Sequence, residues 1–301
     1  MMNRRGFLTT ILGLALTCSL TACTGVAADR KASTNEEETT DAEAEAPTKK
    51  KASDIEDFPE GTTLTLATTS DPYVAIIRNF VKPLLAKHNV KVKVDAFGKA
   101  EEANEAVEAG KADASFCLRC SELDPYNGDG LPELSNAGSI FYKPYGVFSH
   151  KHDSIRQIQE NMTIAIPGDD EGRGRALQLL QQEGLIRLNE PERLDAHTYE
   201  LAENRMQIQF RETDRAQLPT LLEEVDYVIL DPSDAEGVDV TKAAVLEASD
   251  SLTAARYAGI VAATPDMAED AKVEALVQLL KSEEFFQFLQ TTYGQELLPI
   301  A

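Results

Sequence analysis

The sequence predicts an α/β protein whose folded part forms two lobes. Short runs of alternating apolar residues are separated by segments in which apolar residues recur at helical spacing. This strand and helix pattern restarts near residue 150, and residues 59–301 are long enough for two cores at roughly 100–200 residues per domain. Because strands that alternate with helices pair side by side, we expect parallel sheets in both lobes.

Residues 59–149 are expected to form the first part of lobe 1. The predicted elements are a strand around Leu64, a helix from Val74 to Leu84, a strand around Val92, a helix over 101–109 that stops at Gly110, and a strand from Ala112 to Phe116.

Residues 150–245 are expected to form lobe 2, and residues 246–301 to return to lobe 1. The predicted elements of lobe 2 are a helix from near Asp153, a strand from Thr163, a helix carrying Arg175, and a buried strand over Tyr227–Leu230. The predicted elements of the return are a strand over Ile260–Ala263 and helices over 267–281 and 283–293.

The N-terminus carries export and anchoring signals. Arg4 and Arg5 precede an apolar run that is suited to a signal peptide and too short to span a bilayer comfortably. The run ends in Leu20-Thr21-Ala22-Cys23, which resembles the bacterial lipobox, so residues 1–22 are predicted to be removed and Cys23 lipidated. An uncleaved anchor is the alternative, and the sequence leaves open whether export uses the general or the twin-arginine route.

Residues 23–58 are predicted to be the lipidated cysteine and a disordered acidic tether, because they contain almost no large apolar residue. The whole chain has a net charge of −22, which becomes −24 when Arg4 and Arg5 leave with the signal peptide. Such a charge argues against binding nucleic acid or anionic lipid directly. We expect the protein to lie on the extracytoplasmic face of the cell membrane, attached only by lipid.

The segment Thr163–Leu180 offers a place for an anion. A strand runs through Pro167 into a glycine-containing turn, and the helix that follows is expected to carry Arg173 and Arg175 in its first turn. A helix N-terminus presents free N–H groups, and an arginine adds a planar fork that matches a carboxylate. The alternative is a solvated arginine on an ordinary turn.

The sequence contains little that indicates nucleotide binding, hydrolysis or metal binding. The phosphate-binding pattern G-x-x-x-x-G-K-[ST] and the hydrolase patterns G-x-S-x-G and H-E-x-x-H do not occur, and the four histidines are scattered. We therefore expect neither an enzyme nor a cofactor or metal site. Cys117 and Cys120 could form a disulfide if the chain turns between them, with free buried thiols as the alternative.

Five segments together resemble the methionine-binding lipoproteins of ABC importers, the NlpA/MetQ-like family. The resemblance covers roughly Thr63 to the C-terminus, in the family's order and with similar spacing. The segments are TLTLATTSDPYVAIIRNFVKPLLAKHNVKVKV, NEAVEAGKADASF, KPYGVFSHKHDSI, TIAIPGDDEGRGRALQLLQQEGLIRL and RETDRAQLPTLLEEVDYVIL. The resemblance implies a two-lobed, periplasmic-binding-protein-like (type II) fold with the ligand cleft between the lobes. It also implies partners: a small amino-acid ligand, a permease and its ATPase subunit.

The resemblance also assigns ligand-binding residues. Arg175 matches the arginine of the family's G-R-A-L segment, which clamps the ligand's α-carboxylate, and Phe116 matches an aromatic residue that packs on the methionine side chain. Tyr73 stands where the family often has histidine. Asp231 and Ser233 occupy the positions of two asparagines near the amino acid's polar end. Asp231 could pair with an ammonium or simply cap the turn before Pro232.

Departures from the family concern the ligand more than the fold. The family's N-[YF]-F-Q-H becomes Ser115-Phe116-Cys117-Leu118-Arg119. An added arginine, Arg119 or Arg173, could accept a second carboxylate, although we expect it to face water. The resemblance thus implies a substrate-binding lipoprotein for methionine or a related amino acid. The alternatives are the same fold binding another anion, a secreted enzyme, or a surface adhesin or sensor.

Overall fold

A computed structural model of the chain describes residues 51–130, 133–235 and 245–300. The predicted signal peptide (residues 1–22), the lipidated Cys23 and most of the predicted tether lie outside these residues. Within the described ranges, no helix has the length and apolar character needed to cross a membrane.

Lobe 1 is built on a six-stranded mixed sheet. Its strands, in spatial order, are β13 (Leu298–Pro299), β4 (Ser135–Tyr142), β12 (Gly259–Ala263), β3 (Ala114–Arg119), β1 (Thr63–Thr68) and β2 (Lys91–Ala96). Strands β2, β1 and β3 are parallel, as predicted, whereas β12, β4 and β13 pair antiparallel.

Helices cover both faces of this sheet. Helix α1 (Tyr73–Ile76) continues through a π-helical turn (Ile77–Val81) into α2 (Lys82–Leu85), and the remaining helices are α3 (Ala100–Glu108), α4 (Cys120–Asn127), α6 (Leu252–Arg256), α7 (Pro265–Ala268), α8 (Ala271–Leu280) and α9 (Glu283–Tyr293). One face packs a large core that includes Leu66, Phe80 and Phe285. The other packs a smaller core that includes Val107, Leu118 and Ile260. Burial of these apolar faces is the main stabilising contribution.

Lobe 2 is built on a five-stranded sheet. Its strands, in spatial order, are β11 (Val245–Leu246), β5 (Gly146–Phe148), β10 (Tyr227–Leu230), β6 (Thr163–Pro167) and β9 (Gln209–Thr213). Its main covering elements are helix α5 (Asp170–Gln182), a 3₁₀ helix (Arg215–Glu223) and the ribbon β7 (Arg187–Leu188) and β8 (Leu201–Glu203). Strands β10, β6 and the edge strand β9 are parallel.

The chain crosses between the lobes twice, and the first crossing corrects a predicted boundary. Strand β5 belongs to the second sheet, so the first crossing is residues 143–145 and lobe 2 begins before the predicted residue 150. The second crossing is residues 247–251, after β11. The helix expected from near Asp153 is a single 3₁₀ turn, Ile155–Gln157.

The predicted tether also ends earlier than residue 58. Ala52 and Ile55 are buried in the core of lobe 1, and Phe58 packs against the same core. The Ala52 N–H donates to Glu284 Oε2 at 3.0 Å. These contacts bury apolar surface, which offsets the entropy lost when residues 52–58 become ordered.

Candidate functional site

A cleft between the lobes is lined by charged and aromatic side chains from both sheets. Lobe 1 contributes residues beyond the carboxyl ends of β1 and β3, and lobe 2 contributes residues beyond β6, β9 and β10. These are the strand ends at which open α/β sheets bind ligands.

Arg175 extends from helix α5 into this cleft. The helix begins at Asp170, so Arg175 lies in its second turn and not in the first turn that the sequence predicted. Its Nη2 donates to the carbonyl oxygen of Lys143 at 2.7 Å and to Glu247 Oε2. The guanidinium also lies over the rings of Tyr145 and Tyr257, with Cζ 4.2 and 4.9 Å from the ring centroids. Arg175 is therefore held rigidly by both the first and the second crossing.

Glu247 joins the two crossings to each other. Its carboxylate accepts from the Tyr145 N–H at 3.2 Å, and its own N–H donates to the carbonyl oxygen of Tyr145 at 2.8 Å. The hydroxyl of Tyr142 donates to the carbonyl oxygen of Glu247 at 2.6 Å. Because the Glu247 side chain is fully buried, Arg175 supplies the positive charge that it requires.

Glu171 and two further arginines lie at the same edge of the cleft. Arg119, at the end of β3 in lobe 1, donates through Nη1 to Glu171 Oε1 in lobe 2 at 2.8 Å. Arg215 follows β9 and makes a two-bonded pair with Asp169, with Nε–Oδ2 at 2.8 Å and Nη2–Oδ1 at 2.7 Å. This arginine lowers the pKa of Asp169 to about 2. Arg119 is thus partly exposed but ion-paired, and its pair with Glu171 connects the lobes.

Asp231 and Ser233 lie on the lobe 2 side of the cleft, beyond β10. Asp231 is 9 % exposed, and its Oδ1 accepts from the N–H and the hydroxyl of Ser233, both at 2.9 Å. Among the described residues, no arginine, lysine or histidine nitrogen lies within 4 Å of the Asp231 carboxylate. The residue does form the turn that was one of its two predicted roles, and its charge is left facing the cleft.

Tyr73 and Phe141 form an aromatic wall on the lobe 1 side. Phe116, which was predicted to touch the ligand, is fully buried behind them and does not line the cleft. Its ring is 5.0 Å from that of Tyr73 and 5.9 Å from that of Phe141, both edge to face. The structure therefore brings Arg175, Tyr73, Asp231 and Ser233 together at the cleft and places Phe116 in the core that supports it.

Arg173 does not face water, contrary to the expectation from sequence. It is 4 % exposed and donates to the carbonyl oxygens of Ala196 at 3.2 Å and Gly168 at 2.9 Å, and to Asp170 Oδ1. These bonds join the turn before α5 to the loop near residue 196. Arg173 is a structural residue of lobe 2 and does not line the cleft.

Cys117 and Cys120 are both free thiols, so the disulfide considered from sequence is not formed. Strand β3 extends through Arg119, whose backbone is extended with φ −95° and ψ 156°. The turn that would bring the two sulfur atoms together is therefore absent, since three extended residues span about 10 Å. Burial raises the pKa of the Cys117 thiol to about 12.

No group of histidine, cysteine, aspartate and glutamate side chains that could hold a metal ion occurs in the part of the chain that the structure describes. Several residues of the site were not singled out from sequence, among them the cleft residues Glu171, Arg215 and Tyr257 and the buried Glu247 behind them. Arg215 could have been found, because it lies two residues after the end of a strand. Glu247 follows a strand of only two residues and has no motif around it.

Comparisons with known proteins agree with this architecture. Residues 64–301 match the NlpA lipoprotein family. The chain is 28 % identical over 204 residues to a probable D-methionine-binding lipoprotein MetQ of Pasteurella multocida, covering 67 % of this chain and 72 % of that protein.

Two solved structures are also similar. One is a lipoprotein from Ruminococcus gnavus, 30 % identical with a TM-score of 0.56, covering 80 % of this chain and all of that one. The other is a nutrient-binding protein from Burkholderia cenocepacia bound to methionine, 26 % identical with a TM-score of 0.55, covering 78 % of this chain and 99 % of that one.

Proposed function

Because this chain belongs to the NlpA lipoprotein family, whose members are substrate-binding lipoproteins and not enzymes, we propose that it captures methionine or a related small amino acid for an ABC importer. In this proposal the signal peptide of residues 1–22 is removed, and lipid on Cys23 holds the protein at the outer face of the cell membrane. The two-lobed domain then delivers its ligand to a permease that is driven by a separate ATPase.

The observation that carries the proposal is the pairing of opposite charges in one cleft. Arg175 has no hydrogen bond from Nη1 to any described residue, so this nitrogen is available for a ligand carboxylate. The Asp231 carboxylate, 9 % exposed, lies in the same cleft without a cationic partner among the described residues. A buried charge requires an opposite charge, and an amino acid's ammonium supplies it.

The aromatic wall supports an apolar or thioether side chain on the ligand. Tyr73 and Phe141 line the cleft, and the buried Phe116 packs edge to face against both rings. Sulfur and methylene groups pack well on such rings. A relative named as a probable D-methionine-binding lipoprotein and a similar structure bound to methionine support methionine as the ligand.

A second candidate ligand is a small dianion such as a dicarboxylate. It is favoured by one observation, the presence of Arg119, Arg175 and Arg215 in the same cleft. The fold and the delivery to a permease would be unchanged in that case.

Calorimetry with a set of matched ligands tests the proposal. L-Methionine should bind, whereas its des-amino analogue and the amine that lacks the carboxylate should bind at least about 30-fold more weakly, because each loses one charged contact. Asp231→Asn should weaken methionine binding. If every amino acid fails and a dicarboxylate binds, the second candidate is correct.

A pair of matched variants tests the role of Arg175. Arg175→Lys keeps a cation for Glu247 but loses the guanidinium fork, so it should weaken methionine binding by about tenfold or more. Arg173→Lys makes the same change two residues earlier, at an equally buried position outside the cleft. It should lower stability and leave affinity within about threefold. The reverse ranking would contradict the assignment.

The anchor is tested separately by labelling cells with a radioactive fatty acid. The mature protein should carry label, and Cys23→Ser should carry none. Label at the wild-type level in the variant would show that lipid is attached elsewhere.

A further inference from the structure

One carboxylate oxygen in the cleft is shared by three arginines. Glu171 Oε1 lies 2.8 Å from Arg119 Nη1, 3.9 Å from Arg175 Nη1 and 4.0 Å from Arg215 Nη2. Glu171 is the second residue of helix α5, and its side chain is 27 % exposed. The three cations come from both lobes, since Arg119 ends β3 of lobe 1.

Each of these arginines has another carboxylate partner of its own. Arg119 is paired with Glu122, Arg175 with Glu247 and Arg215 with Asp169. These three acids do not line the cleft, whereas Glu171 and all three arginines do. Of the four carboxylates that pair with these arginines, Glu171 is therefore the one that a ligand entering the cleft would meet.

We propose that Glu171 occupies the carboxylate seat, which is the position beside Arg119, Arg175 and Arg215 that the ligand's carboxylate takes on binding. Glu171 then competes with the ligand for this position. This inference rests on the proposed function, in which a ligand carboxylate binds Arg175 Nη1. That nitrogen is the one nearest Glu171, so a ligand carboxylate and Glu171 compete for the same guanidinium edge. Two carboxylates at the same position repel each other, and Glu171 must turn aside when the ligand binds.

This competition makes Glu171 a determinant of specificity. Exchanging one carboxylate for another leaves the charge around the three arginines unchanged, so the exchange by itself contributes little affinity. A simple carboxylate should therefore bind poorly. A ligand that also places an ammonium beside Asp231 gains a second charged contact, and only such a ligand displaces Glu171.

If Glu171 supports the arginines and does not compete with the ligand, its removal should have the opposite effect on affinity. If Glu171 stays in place and merely holds the arginines for the ligand, its removal should weaken binding, because the arginines lose their support. If Glu171 competes, its removal should tighten binding, because the contact is already lost in the ligand-bound protein. The sign of the change in affinity separates the two.

Glu171→Gln is the informative variant, and Glu122→Gln is its matched control. Both remove one negative charge from a partner of Arg119, but Glu122 contacts neither Arg175 nor Arg215. Glu171→Ala serves as a second variant, since alanine suits a helix. The full chain is used in a buffer of low ionic strength, which preserves the charge interactions.

Binding of two probes, L-methionine and acetate, is measured by calorimetry and by thermal shift. In Glu171→Gln and Glu171→Ala we expect methionine to bind about tenfold more tightly than in wild type. We also expect acetate to bind measurably to both variants and not to wild type. In Glu122→Gln both responses should stay within about threefold of wild type.

The outcomes distinguish the two proposals. If wild type binds methionine but the Glu171 variants bind it equally or more weakly, Glu171 is not a competitor and the proposed function stands. If wild type binds no amino acid but the Glu171 variants gain acetate binding, the carboxylate seat is real and the ligand class is wrong. If the folded Glu171 variants show no response to acetate, the seat assignment is overturned.

Discussion

Arg175 and Glu247 form an ion pair whose two side chains are 5 % and 0 % exposed, and which joins helix α5 to the second crossing between the lobes. Each charge of so deeply buried a pair depends on the other, because either one alone would be strongly destabilising in the protein interior. The same arginine faces the cleft, so the pair links the candidate ligand site to the second crossing between the lobes.

Glu247→Gln should therefore lower the free energy of unfolding by about 3 kcal/mol, since it removes the carboxylate that is hydrogen-bonded to the buried Arg175 guanidinium and leaves only Glu171, 3.9 Å away. Urea unfolding measures this change. Glu203→Gln, in the exposed pair with Arg187, is the matched control and should cost less than about 1 kcal/mol. Equal effects at the two sites would contradict the structural role of Glu247.

The pair of Asp169 and Arg215 should make stability depend on acidity. The folded-state pKa of Asp169 is about 2, against an ordinary value of 3.8, chiefly because Arg215 hydrogen-bonds to its charged form. A lowered pKa gives stability that is complete above about pH 4 and is lost as the pH falls through 2. Since the Asp169 side chain is 45 % exposed, we expect only about 1 kcal/mol.

Asp169→Asn isolates this contribution, because asparagine can still accept the Gly172 N–H that caps helix α5. Unfolding free energies of wild type and variant should differ at pH 6 and converge near pH 2. A difference that does not change with pH would mean that the cap or the packing, and not the charge, is responsible.

The two thiols should react differently in the folded protein. Cys117 is 8 % exposed and its pKa is about 12, so almost no thiolate is present at neutral pH, whereas Cys120 is partly exposed. Iodoacetamide should modify Cys120 at least about tenfold faster than Cys117, as measured by peptide mass mapping, and should modify both in denaturant. Protection of both thiols in denaturant until a reductant is added would indicate a disulfide.

The sequence predicted the elements of the fold well and their assignment to lobes less well. Alternating apolar residues located β1 and β6, and the continuous apolar run Tyr227–Leu230 located β10. The apolar run Gly146–Phe148 reads the same whichever sheet it joins, so the first crossing was placed too late. Ala52 and Ile55 were assigned to the tether because residues 23–58 contain almost no large apolar residue, although both pack on lobe 1.

Site residues that belong to a local motif were predicted from sequence, whereas those that depend on contacts between distant segments of the chain were missed. Arg175 came from its motif and its place after a strand. Its partner Glu247 is 72 positions away along the chain and could not be inferred from spacing. Arg173 was expected to face water. Its Nε donates to the carbonyl oxygen of Ala196, which lies 23 positions further along the chain, so the local sequence does not predict this contact.

Gly174 shows how closely that loop approaches helix α5. A side-chain methyl at Gly174 would collide with the backbone carbonyl of Leu194, which cannot move aside as a flexible side chain could. The loop is held there by Gln178, whose Nε2 donates to the carbonyl oxygens of Pro191 at 2.8 Å and Arg193 at 2.9 Å. The glycine is thus required by packing and not by its own backbone angles.

Gly174→Ala should consequently destabilise the protein by about 2 kcal/mol or more, even though alanine favours a helix, because the loop must separate from α5. Gly98→Ala is the control, since a methyl there would meet only Glu102 Oε2 at an ordinary 3.8 Å. Urea unfolding should show a large loss for the first variant and less than about 0.5 kcal/mol for the second. Limited proteolysis should also cut near residue 194 faster in Gly174→Ala. Unchanged stability and unchanged cleavage would mean that the loop does not rest on the helix in solution.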